Sequence, residues 1–341
     1  MKNITEIRNV HVFNGYELTD ADHVLFDSDG FFCNPEEQPV KTLDGKGMFL
    51  MPGLIDAHTH PVNHKNIQNL MKNGVTSTFA ISAPDEIRNL PDATRIFSTY
   101  GMALENVSDG RGFVRNEIEH GSSYIKIVVE DQPRMAGSVI TQEAMDEIAD
   151  EAHANGYLLA VHAVSVPALE KAVKAKTDIH IHVPLEAEIP DELIAQMADN
   201  LACCIPTLTM MKGFSDSLFY GYHRSDFQNA LNNVKKMDRA GIPILAGTDA
   251  NNVFILPRVR FGTDLHTEMK LLSQCGLSTQ EVLKSATAAV ADGFHNDMIG
   301  RIEKGRKADF ILIDGNSLQN LSDPDQIRQV WIGGRKVIQN Q

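Results

Sequence analysis

The amino-acid sequence predicts an α/β fold, a (β/α)8 TIM barrel with a small composite β-sandwich domain formed by both termini. Three observations carry that prediction. Eight short apolar runs alternate with helical patterns between residues 48 and 249. Both ends of the 341-residue chain read as strands without helices between them. Imidazoles, a lysine and a carboxylate recur where the apolar runs end, which is where barrels build their active sites.

The runs are MFLMPGLIDAH (48–58), GVTSTFAIS (74–82), YGMALENV (100–107), YIKIVVE (124–130), YLLAVHA (157–163), DIHIHV (178–183), LACCIPTL (201–208) and IPILAGTD (242–249). Between them, TQEAMDEIADEAHANG (141–156) opens on a Thr cap, carries Glu in its first turn and closes on Asn–Gly. VPALEKAVKA, ELIAQMADN and FQNALNNVKKMDRAG repeat that style. Strands alternating with helices imply parallel βα units, and eight units imply a closed barrel, placed at 51–299. The flanks differ. Residues 10–13, 24–26 and 47–50 at one end, and ADFILID and QVWIGGRKVI at the other, are strand-like. Segments 1–50 and 300–341 are expected to pair into one β-domain.

Composition bounds the partners. Hydrophobic residues make up 43% and charged residues 22% of the chain, ordinary values for a globular protein. The net charge of −14 argues against nucleic acid or an anionic membrane as a partner. No run approaches the ~18–20 apolar residues of a membrane span. The start, MKNITEIRNVHVFNGY, lacks an apolar signal region, so no signal peptide is expected. The four cysteines, Cys33, Cys203, Cys204 and Cys275, have no CxxC spacing and read as reduced thiols of a cytoplasmic protein. Adjacent Cys203 and Cys204 read as a buried strand pair. The expected partner is a small-molecule substrate, and a homo-oligomer is compatible with the sequence.

The chemistry sits at the strand ends. In a strand, residues i and i+2 face the same way, so Asp56, His58 and His60 project together, and Pro61 marks the end. Neutral imidazoles converging there suit a divalent transition metal. In YIKIVV, Lys126 faces away from Ile125 and Ile127 and so points into the barrel. A buried, unpaired ammonium is costly, which favours a neutral amine able to add carbon dioxide as a carbamate. A lysine paired with Glu130 or Asp249 is the other reading, and the residues alone leave both open. His162 closes strand five and His182 strand six. His180, on the same face as His182 and deeper, reads as a satisfied core histidine or a supporting residue. Asp249 closes strand eight as ligand or base, or as a helix cap.

Taken together, these motifs resemble the amidohydrolase superfamily, in its imidazolonepropionase-like and prolidase-like (Xaa-Pro dipeptidase-type) branch. PGLIDAHTH matches the strand-one motif, YIKIVV the strand-four motif whose lysine is carboxylated in binuclear members, and AVHA and DIHIH strands five and six. LAGTDA matches strand eight, and GRIEKGRKADFILIDGN and VWIGGRKV match the closing β-domain, so the resemblance covers nearly the whole chain. There are departures. The stretch from His60 to Lys126 is short, strand four runs into EDQPRMAG where relatives carry a glycine-rich turn, and strand six ends in HVP rather than EHG. These leave the metal set intact and bear on specificity.

The resemblance implies two divalent metal ions, zinc, with His58, His60 and Asp249 on the first, His162 and His182 on the second, and carboxylated Lys126 bridging. It implies attack of a metal-bridging hydroxide on an amide carbonyl, with Asp249 shuttling the proton to the leaving nitrogen. A dipeptide or N-acyl amino acid is the expected substrate. A cyclic-amide, lactone or deaminase activity on the same site is the alternative, and a non-catalytic scaffold would show eroded ligands. For substrate contacts, the seventh loop offers Lys212, Tyr220, Tyr222, His223 and Arg224, and the eighth Arg258 and Arg260. His64, His120 and His266 read as surface or supporting residues.

Overall fold

The computed structural model describes residues 3–104, 107–130, 140–217, 226–314 and 324–340. Its strands are β1 (Ile4–Val12), β2 (His23–Asp27), β3 (Lys41–Pro52), β4 (Leu54–Thr59), β5 (Val75–Ala80), β6 (Arg95–Ser98), β7 (Ile125–Val129), β8 (Leu159–Ala163), β9 (Ile179–Ile181), β10 (Cys203–Ile205), β11 (Phe310–Ile313), β12 (Ile327–Ile332) and β13 (Arg335–Gln339).

The two ends of the chain meet in one six-stranded sheet ordered β13-β12-β11-β3-β1-β2. Its apolar face packs Phe26, Phe310 and Trp331 together, with the Phe310 and Trp331 rings stacked at 5.3 Å. The expected first run divides at Gly53. Residues up to Pro52 belong to this sheet, and those from Leu54 begin the barrel. A side chain cannot be accommodated at the break, because a Cβ on Gly53 would stand 2.1 Å from Thr76 Oγ1.

The barrel strands run parallel in two groups, β4-β5-β6 and β10-β9-β8-β7. The groups join where Ser123 N donates to Ser98 O and Ala103 N donates to Lys126 O. Residues 243–250 are the eighth member. Leu245 N donates to Cys204 O on one side, while Ala57 N donates to Ala246 O and Asp249 N to His58 O on the other. The ring is thereby closed, as the alternating runs predict.

The third strand is a correction. It is Arg95–Ser98, paired with β5, whereas among the described residues of 100–107 only Ala103 bridges, to Ile127. The reason lies in how the backbone is satisfied. Tyr100 N donates to Ser122 Oγ and Gly101 N to Glu117 Oε2, so side chains replace a ladder there. The seventh run also shortens to Cys203–Ile205, because Leu208 opens the helix Leu208–Ser215.

The helices follow their sequence signals. Thr141 caps Gln142–Ala154 by accepting from Ala144 N, and Ser165 caps Val166–Lys174 by accepting from Ala168 N. Their apolar stripes cover the outward side chains of the strands, among them Ile125, Ile127, Leu159 and Val161. That orientation turns Lys126 and His162 inward. No described helix is long and apolar enough to cross a membrane.

Candidate metal centre

Strand one delivers its two imidazoles as the period-two pattern requires. His58 Nε2 lies 3.5 Å, and His60 Nε2 3.0 Å, from the same atom, Asp249 Oδ1. The ligand atoms of these three residues all lie within 4.8 Å of one another, the one such compact trio among the described residues. His58 is almost fully buried, and burial with the Lys126 charge nearby holds its imidazole well below the usual range. His58 is therefore neutral, with a lone pair to give.

The second half of the constellation faces the same cavity. The His162 and His182 rings are 4.4 Å apart, and His182 lies 5.7 Å from His58. His182 Nδ1 and Thr207 Oγ1 share a hydrogen bond of 2.6 Å, which fixes that ring and leaves Nε2 free for other duty. Burial lowers the His182 pKa well below the ordinary value, so it too is neutral. Lys126 is 2% exposed, and its Nζ makes no hydrogen bond among the described residues. Burial pushes its pKa down to about 7. Neither Glu130 nor Asp249 pairs with it as a salt bridge, so the paired-lysine reading loses its basis.

His180 requires a correction. It does not share a face with His182. His180 stands in register with Val161 and Cys204, whose side chains pack on the helix side of the sheet. His182 instead has φ +74, and that left-handed residue breaks the alternation and turns its imidazole into the barrel. His180 is a buried core residue near Thr177 Oγ1 at 3.5 Å, with its pKa pushed down to about 4 by burial.

All six sequence-predicted ligands, His58, His60, Lys126, His162, His182 and Asp249, line one cavity of about 280 Å³. Its remaining wall is apolar: Met102, Leu104, Val128, Val164, Met211, Phe214 and Leu256, plus one acid, Glu130. Sequence reasoning missed this wall and gave Glu130 no role beyond a partner for Lys126. A signal for Glu130 existed, since residues 126, 128 and 130 share one face of an alternating strand. Asp56 lies below the imidazoles, fully buried. It accepts from Thr248 N at 3.0 Å and from Thr248 Oγ1 at 2.7 Å, and burial raises its pKa to about 7.

The loop candidates fare differently. Tyr220, Tyr222, His223 and Arg224 lie outside the described residues. Lys212 pairs with Asp216 at 2.7 Å, and Arg260 is held by Asp264. Arg258 lines a neighbouring cavity with Asn63, Asn66 and Asn251. His64 opens the helix His64–Lys72, His120 caps the helix Gly110–Glu119 and stacks on Tyr100, and His266 bonds Asn73 O. None of these three lines the cavity.

The residues fit a divalent metal. Imidazoles and a carboxylate converge at ligand spacing, and buried atoms such as Lys126 Nζ lack hydrogen-bond partners among the described residues. Residues 49–337 match the family model described as "Amidohydrolase family". The chain belongs to the amidohydrolase family. Membership places it among hydrolases acting on carbon–nitrogen bonds. Among curated relatives, a 5-methylthioadenosine/S-adenosylhomocysteine deaminase of Bacillus cereus is 24% identical across 98% of this chain and 91% of its own. A deaminase of the same name from Caldicellulosiruptor saccharolyticus is 38% identical, but the match spans only 26% of this chain and 21% of that protein. Among solved structures, a putative prolidase from Bifidobacterium longum superposes with a TM-score of 0.82 at 24% identity, over 98% of this chain and 94% of that one. A Xaa-Pro dipeptidase with bound methionine gives 0.82 at 18% identity, covering 99% and 100%. These likenesses carry the expected fold, a barrel with a terminal β-domain.

Proposed function

We propose that this amidohydrolase cleaves the amide bond of a small substrate, a dipeptide or an N-acyl amino acid, at a centre of two zinc ions. The observation that supports the reading most is the inward, unpaired Lys126 standing among four imidazoles and Asp249 in one cavity. His58, His60 and Asp249 would hold one ion and His162 and His182 the other, with carboxylated Lys126 between them. When bound, the ions supply Lewis acidity to the carbonyl and acidify water. The chain does the rest. Asp249 takes a proton from the attacking water and returns it to the leaving nitrogen, acting as base and then as acid. Thr207 orients the His182 ring. Phe214, Met211 and Leu256 keep bulk water from the reacting bond and hold an apolar part of the substrate. Tyr220, Tyr222, His223 and Arg224 are proposed to contact the substrate from the seventh loop. The working unit is the barrel, expected at 51–299 with its first strand starting at Leu54, seated on the β-domain of 1–50 and 300–341, in the cytoplasm.

A second reading is deamination, supported by the deaminase-named relative that aligns across 98% of the chain. Both are tested by screening metal-replete enzyme against dipeptides, N-acyl amino acids, cyclic amides, lactones and amino-heterocycles. Amide cleavage is the expected result. Ammonia release from an amino-heterocycle without dipeptide cleavage selects the second reading, and hydrolysis confined to lactones or esters defeats both. Asp249→Asn should lower kcat by about 10²–10⁴. Lys126→Ala should lose activity and bound metal together, and unchanged activity with two metals per chain would remove the lysine from the mechanism.

A further inference from the structure

We infer that Glu130 is a protein ligand of the metal held by His162, an inference that rests on the two-metal reading above. Glu130 follows β7 directly, and Lys126, Val128 and Glu130 all line the cavity. Its side chain is 10% exposed. Oε1 lies 3.3 Å from His162 Nε2, and Oε2 is buried without a hydrogen bond among the described residues.

The spacing is that of two ligands on one ion. With zinc–nitrogen and zinc–oxygen bonds of about 2.0–2.2 Å, neighbouring ligands of a tetrahedral site stand about 3.3–3.5 Å apart. The trio on the other side has the same dimensions, with His60 and His58 at 3.0 and 3.5 Å from Asp249 Oδ1. Asp249 stands at this spacing from His58 and His60, and Glu130 from His162.

Satisfaction of the carboxylate points the same way. If His162 Nε2 gives its lone pair to a metal, it carries no hydrogen for Glu130. The carboxylate would then be left without a hydrogen-bond partner among the described residues in a cavity whose wall is largely apolar, a costly place for an unpaired charge. Coordination through the oxygen next to Nε2 removes that cost. It also leaves Lys126 Nζ free to form its carbamate.

The test is metal titration of chelator-stripped wild type, Glu130→Ala and Glu130→Gln, followed by metal analysis and by visible absorption of the Co2+ form. Wild type should bind two equivalents. Glu130→Ala should keep the first and bind the second about tenfold or more weakly, with a changed Co2+ spectrum. Glu130→Gln, which preserves shape and one oxygen, should fall between. Two equivalents at wild-type affinity with an unaltered spectrum in both variants would overturn the assignment alone. So would unchanged metal binding with a raised KM confined to substrates bearing a free amine, which would make Glu130 an amine acceptor. Saturation of wild type at one equivalent would overturn this assignment and the two-metal reading together.

Discussion

At the scale of single residues, the site is held by side chains that never reach the substrate. Three non-glycine residues at the barrel mouth, His182, Thr207 and Asp249, adopt positive φ of +74, +47 and +59. Such conformations persist only where surrounding contacts enforce them. Asp56 supplies one such contact. It sits on strand one and grips Thr248, the residue before Asp249, through both backbone and hydroxyl. Thr248→Val keeps the shape and removes the hydroxyl, leaving Asp56 Oδ2 buried without a partner. The expected cost is about 1–3 kcal/mol of stability, read by urea unfolding of the metal-free protein. A loss indistinguishable from zero would show that Asp56 is satisfied elsewhere. The sequence makes the face of Asp56 legible, because HxH periodicity sets it. Its partner lies 192 residues away, and only the closed ring brings the two together.

At the scale of elements, strong local signals survive and weak ones are overruled. The Thr141 cap and the alternation in YIKIVV act over a few residues, so both are readable and both hold. The third strand is not readable, because a four-residue strand carries too short a pattern and its neighbour at 100–103 is fixed by Ser122 and Glu117. His182 also escapes alternation, since periodicity cannot foresee a left-handed residue. The helix Leu208–Ser215 shows a third kind of non-local control. It has no side-chain cap of its own. Instead the buried Glu268 accepts from Leu208 N, Thr209 N and Thr209 Oγ1 at 2.7–2.8 Å. Burial raises the Glu268 pKa from 4.5 to about 7. In that window the folded chain keeps a proton that the unfolded chain has released. This contribution to stability therefore falls as pH climbs from about 4.5 to about 7, by about 3 kcal/mol, and is level above. Glu268→Gln removes that slope and leaves the like-signed one of Asp56. Urea midpoints of chelated wild type and variant at pH 5 and pH 7.5 read the difference, and parallel slopes would reject it.

At the scale of the whole molecule, barrel and terminal sheet are mechanically one. β3 passes into β4 through Gly53, so the strand that carries His58 and His60 is a continuation of the sheet. The candidate constellation was legible because its histidines and Asp249 fall where strands end and the alternation in β7 sets the face of Lys126. The apolar wall was not, because Met102 and Leu256 come from loops without a period and Met211 from a helix of only eight residues. A second join between the two layers was equally invisible. Arg95 on β6 donates from Nε and Nη2 to Asp309, at 2.7 and 3.1 Å, and Gly333 N donates to the same carboxylate at 2.6 Å. Asp309 is 4% exposed, so this pair is not a solvent-screened surface bridge. Removing one partner strands the other charge, an imbalance that costs about 3–5 kcal/mol in buried pairs and toward the low end here, since the Arg95 side chain is 30% exposed. Asp309→Ala should therefore lower stability by about 3 kcal/mol. The same variant should bind the wild-type number of metals at ambient temperature, because no ligand touches Asp309. Thermal melting with metal analysis separates the two effects. A loss below about 1 kcal/mol would mean that the ion pair adds little to the apolar packing of Phe49, Ile311, Ile327 and Val330 against the barrel. Lost metal without lost stability would mean that the clamp positions the strand-one imidazoles rather than joining the layers.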